Sequence, residues 1–111
     1  MRNLLTAVAV LLFGGMAFGQ HSGVLTWTAS TDSGVTYNIY RAAAACSTTP
    51  TLTKIASSVA ATTYTDSAVT VGTTYCWGVT ASLNGQESAM SNTAGGVIPV
   101  AGATVLVVVL K

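Results

Sequence analysis

The chain has 111 residues, a length that suggests one domain; half of them are apolar, 6% are charged, and the formal net charge is +1. Its four cations, Arg2, Arg41, Lys54 and Lys111, are scattered, which excludes the clustered basic surface that nucleic acid needs. The apolar content excludes disorder, because it is enough to build a core.

The first segment, "MRNLLTAVAVLLFGGMAFGQ", has one early cation and then an apolar run over residues 4–13. Small residues, Ala17 and Gly19, stand where a signal peptidase reads. This layout predicts a secretory leader over residues 1–19, cut after Gly19, with Gln20 as the new N-terminus. The alternative, an uncleaved anchor helix, meets a run that is short against the ~20 residues of a membrane span. No stable span is expected once the leader is removed.

From residue 24 the apolar pattern has period two. "GVLTWTAS" puts Leu25 and Trp27 on one face. "TDSG" predicts a turn, in which Asp32 and Ser33 bond nearby backbone and Gly34 takes positive φ. "VTYNIYRA" alternates again, with Val35, Tyr37 and Ile39 on one face and Tyr40 on the other. Residues 42–51 read as a small-residue loop that holds Cys46 and Pro50. "LTKIAS" and "TTYTDS" read as short strands, the second stopped by Asp66 and Ser67, and "VTVGTT" as a corner at Gly72. "YCWGVTASL" is the longest strand, with Tyr75, Trp77, Val79 and Ala81 on one face. Asn84-Gly85 is a strong hairpin signal. "SAMSNTAGGVIP" reads as the last conventional strand, with Glu87 in the loop before it. No helical period appears, and short strands spaced by turn signals predict a β-sandwich.

No catalytic constellation is visible. The one histidine, His21, falls at the expected mature N-terminus and has no partner in the pattern. Asp32, Asp66 and Glu87 are too far apart in sequence to suggest an acid and base pair. No nucleophile motif, phosphate-cradling loop or metal spacing occurs, so no enzyme activity, cofactor or metal is expected.

Taken in order, "LTWTAS", "VTYNIYR", "TTYTDS", "VGTTYCWGVTA" and "NGQESAMSN" resemble a bacterial fibronectin type III domain over residues 24–99. The resemblance implies an all-β, immunoglobulin-like sandwich over residues 20–99. It implies that Tyr75 forms a tyrosine corner, its hydroxyl bonding backbone near Val71 and Gly72. It also implies that Trp27, Tyr37, Ile39, Tyr75, Trp77 and Val79 fill the core rather than form a sugar-stacking platform, since they share one face. In such a sandwich Cys46, just past the third strand, lies beside the start of the sixth. A Cys46–Cys76 disulfide is therefore implied, with Cys76 on the outer face. A reactive thiol or metal pair is the other reading, and nothing supplies further ligands for it.

The resemblance further implies a non-catalytic module, secreted or in the cell envelope, that spaces, presents or binds. Its partner would be an extracellular protein or polysaccharide. The expected contact surface comprises loops 28–35 and 84–90, with Asp32, Asn84 and Glu87, together with outward Tyr40. Two departures stand out. After the predicted cut only residues 20–23 precede Val24, too few for the family's first strand, so that strand is expected to be short or missing and one sheet edge bare. Residues 100–111, "VAGATVLVVVLK", add an apolar tail beyond the usual end. It reads as an extra strand on the sandwich, as a strand added to a neighbour's edge, as an aggregating segment, or as a linker. A structural, self-assembling envelope or virion component is the alternative function that this tail suggests.

Overall fold

The computed structural model describes residues 7–12, 21–99 and 105–110. The expected cleavage point after Gly19 and the new N-terminus Gln20 lie outside the described residues. Among the described residues nine strands follow one another: β1 (Ala7–Leu12), β2 (Ser22–Trp27), β3 (Thr36–Ala42), β4 (Thr53–Val59), β5 (Thr63–Asp66), β6 (Thr74–Leu83), β7 (Gln86–Glu87), β8 (Ala94–Val97) and β9 (Val105–Leu110). A 3-10 turn at Cys46–Thr48 lies in the loop after β3. That loop starts later than the composition suggests, because Ala42 still pairs with Cys76.

The strands form two sheets. One has the order β1-β9-β2-β5; the other runs β4-β3-β6, with both β7 and β8 on the far side of β6. β3 and β6 pair antiparallel over seven residues, from Thr36 opposite Ser82 to Ala42 opposite Cys76. This register keeps every inward residue of β3 opposite an inward residue of β6. Leu25, Trp27, Tyr37, Ile39, Tyr75, Trp77, Val79, Ala81 and Ile98 form the buried core. Each fully buried aliphatic side chain contributes about 1.5–3 kcal/mol. Trp27 and Tyr37 meet edge-on at 5.3 Å between ring centroids, and Tyr75 and Trp77 lie 5.7 Å apart, tilted.

Turns follow local chemistry. Asn84 and Gly85 both take positive φ, 51° and 80°, as a two-residue hairpin of matching twist requires. Gly34 and Gly72 do the same, at 78° and 80°. In the 31–34 turn the bonding side chain differs from the expected Asp32 and Ser33: the Ser30 hydroxyl accepts from the Asp32 N–H at 3.1 Å.

The stretch after the hairpin also departs from the reading of one last strand. Glu87 belongs to the short strand β7 rather than to a loop, and pairing resumes only at β8. Between them two serines continue the ladder. Ser88 donates its N–H to the Ala81 carbonyl (2.7 Å) while its hydroxyl accepts from the Ala81 N–H (2.9 Å). Ser91 does the same to Val79, at 2.8 and 3.0 Å. Every buried backbone group of this edge needs such a partner, and a hydroxyl serves where a strand is absent.

At the other sheet, β9 pairs parallel with β2, from Ser22 opposite Val105 to Trp27 opposite Leu110. It fills the side of β2 where the family's first strand is expected. β1 in turn pairs antiparallel with β9, from Ala7 opposite Leu110 to Leu12 opposite Val105.

Candidate contact surface

Even-numbered residues of β3 and β6 face away from the core, and on this outer face the structure joins two of the expected contact residues. Tyr40 donates its hydroxyl to the Glu87 carboxylate. The Thr80 hydroxyl donates to the same oxygen, Oε2. Asn38 Nδ2 lies 3.2 Å from that oxygen and 3.1 Å from Thr80 Oγ1. Lys54 Nζ, on the neighbouring strand β4, stands 5.8 Å from the centroid of the Tyr40 ring. Four strands therefore contribute to one cluster of a carboxylate, a phenol, an amide, a hydroxyl and an ammonium group.

The cluster tunes its own titrating members. The Thr80 hydrogen bond first, and the Tyr40 bond next, hold the Glu87 carboxyl below the usual carboxylate range. Burial, followed by the Glu87 hydrogen bond and charge, pushes the Tyr40 phenol up. Asp32 and Asn84 lie in two turns at the end of the sheet where β3 begins and β6 ends. Among the described residues the cluster's hydrogen bonds do not include either of them. Asn38, Thr80 and Lys54 are members that the sequence reading did not select. The outward positions of β3 and β6 were legible from their alternation, but their convergence on Glu87 needed the β6–β7 pairing.

A second group, Arg41, Asp66 and Trp77, ties the two sheets together. Asp66 closes β5 and is 3% exposed. Arg41 Nη1, from β3, reaches both its oxygens at 3.0 and 2.8 Å. The Trp77 indole, from β6, donates to Oδ2 at 2.9 Å, and the Ala68 N–H donates to Oδ1 at 3.1 Å. The Arg41 guanidinium also sits 5.4 Å from the Tyr75 ring centroid. The last of the Asp66 bonds is a local carboxylate-to-backbone turn; the other partners are distant in sequence. Arg41 Nη1 also donates to the Ala68 carbonyl at 3.1 Å, and three elements converge on one carboxylate, so this group holds the scaffold.

The remaining marked residues are structural by position. The Tyr75 hydroxyl accepts from the Thr70 N–H at 2.8 Å, one residue before the expected Val71. Cys46 and Cys76 form a disulfide with a Cα–Cα distance of 5.1 Å. Cys76 is on the outward register yet fully buried, because the 46–48 turn lies against β6 there. Trp27, Tyr37, Ile39, Trp77 and Val79 are all buried. No group of three or more metal-ligating side chains occurs among the described residues.

No protein-family model matches the chain, and no curated protein matches it either. Among solved structures the chain is similar to a Fn3-like protein from Clostridium thermocellum. The two share 21% identity over 88% of this chain and 97% of that one, with a TM-score of 0.49. By its own strand order and its tyrosine corner, the chain is an immunoglobulin-like β-sandwich of the fibronectin type III type, with β9 standing beside β2 in place of a first strand.

Proposed function

We propose that the protein is an exported, non-catalytic binding or spacer module of the cell surface or medium, and that it contacts polysaccharide through the outer face of β3, β6 and β7. The observation that carries this reading is the cluster around Glu87. It sets the Tyr40 ring beside a fixed amide, hydroxyl and carboxylate. A sugar presents an apolar CH face and a rim of hydroxyls, and an amphipathic ring with polar neighbours matches both. The groups are held in place before any partner arrives, which lowers the cost of binding. The Cys46–Cys76 disulfide supports export, since such bonds persist in oxidising compartments.

The test is sedimentation of the exported protein with insoluble cellulose, chitin and peptidoglycan. Depletion from solution by at least one of them, lost in Tyr40→Ala with the circular dichroism spectrum unchanged, is the expected result. No depletion by any, or depletion indifferent to Tyr40→Ala, would overturn the reading. A second reading, a structural part that assembles through a sheet edge, is favoured by the position of β9 beside β2.

A further inference from the structure

We propose that in the processed protein the β9 strand of a second copy takes the place that β1 holds here, joining two copies into a closed dimer. The proposal rests on the assembly reading just given and on removal of residues 1–19 as a leader.

β1 is made of residues 7–12, which lie inside the expected leader. Its removal leaves β9 with one neighbour, β2. The backbone N–H and C=O groups of alternate residues along β9, those that face away from β2, then lose their partners. The structure shows what this edge accepts: an antiparallel, uncharged strand of six residues, "AVAVLL", in full register. β9 is itself such a strand, "VLVVVL". Two identical strands that pair antiparallel are related by a twofold axis, so each edge satisfies the other and the assembly closes at two copies. Full overlap sets Val105 opposite the partner's Leu110, and Val107 opposite the partner's Val108. The result is one continuous sheet, β5-β2-β9 followed by the partner's β9, β2 and β5.

The other sheet edges carry devices that resist such pairing. β4 bears Lys54 and an irregular register at positive-φ Ser58. β5 is four residues long and ends in Asp66. The β7–β8 side is split into two short pieces. β9 alone among these has six uninterrupted apolar residues, without proline or charge, which is the composition that templates strand addition.

The experiment is sedimentation equilibrium of the exported product, with its N-terminus read by mass spectrometry, alongside Val107→Pro and Val108→Pro. Successive N–H groups of a strand point to opposite neighbours, so one proline removes a donor to β2 and the other a donor to the outer edge. The expected result is a mass twice that of the chain. One of the two prolines should halve it while leaving the melting temperature of the fold in place. A single-copy mass at every concentration, a mass that grows without limit, or a dimer indifferent to both prolines would overturn the proposal. A product that keeps Met1 overturns it as well, through the leader reading rather than through the edge.

Discussion

Asp66 accepts hydrogen bonds from Arg41, from the Trp77 indole and from the Ala68 amide, in a position almost closed to water. Truncating it strands the Trp77 N–H inside the core and takes the ion-pair partner from Arg41. Asp66→Ala should therefore lower the unfolding free energy by about 3 kcal/mol, read by urea denaturation at neutral pH. A loss within the error of a surface substitution would refute the bridging role. Glu87 makes a different prediction. Its carboxyl is depressed in the folded chain, so its contribution is present above the ordinary glutamate value of about 4.3 and disappears as pH falls through the lower folded value. Tyr40 is raised, so its contribution is full below the ordinary tyrosine range and is lost as pH rises through the folded value. Stability of the wild type should thus decline at both ends of the pH scale more than that of Glu87→Gln. Parallel declines in the two proteins would show that the cluster does not couple to folding. Residues of this kind are where sequence reading stops short. Tyr75 announces its corner by its place before Trp77, whereas the Asp66 partners are 25 and 11 residues away and come from the opposite sheet.

Strands β2, β3 and β6 were legible because alternation along a half-buried strand is a local property. Asn84-Gly85 was legible because the turn demands positive φ at both positions. The break between β7 and β8 was not. Ser88 and Ser91 look like ordinary polar residues in sequence, and only the pairing shows their hydroxyls standing in for strand backbone. The tail belongs to the same scale. Its apolar run left several readings open, since hydrophobicity alone does not say which edge a strand will join. Beside β2, β9 supplies six residues of ladder. Deleting residues 100–111 should lower the melting temperature by at least about 5 °C, the equivalent of roughly 1 kcal/mol in a domain this small. A calorimetric scan of the truncated chain that matched the intact one would remove β9 from the list of stabilising elements.

The whole molecule is a small sandwich, and because the share of surface buried on folding falls with size, a covalent tie adds to a modest margin. Closing a loop with a sequence separation of 30 contributes about 3–4 kcal/mol in the chain-entropy account. Reduction and alkylation should lower the unfolding free energy by that amount, read from denaturant titration, without changing the strand content seen by circular dichroism. Loss of strand content on reduction would mean that the disulfide organises the sheets rather than restrains the unfolded chain.

The disulfide has a mechanical side. The ring it closes contains both β4, an edge of one sheet, and β5, an edge of the other. A force applied to the two ends of the chain therefore bypasses these strands and runs through the sulfur bridge. Stretched by single-molecule tweezers, the oxidised module should extend about 100 Å less than the reduced one, the contour length of the shielded residues. A tethered module built this way yields under load by a short, fixed step and keeps a folded-length reserve that only a reductant can release.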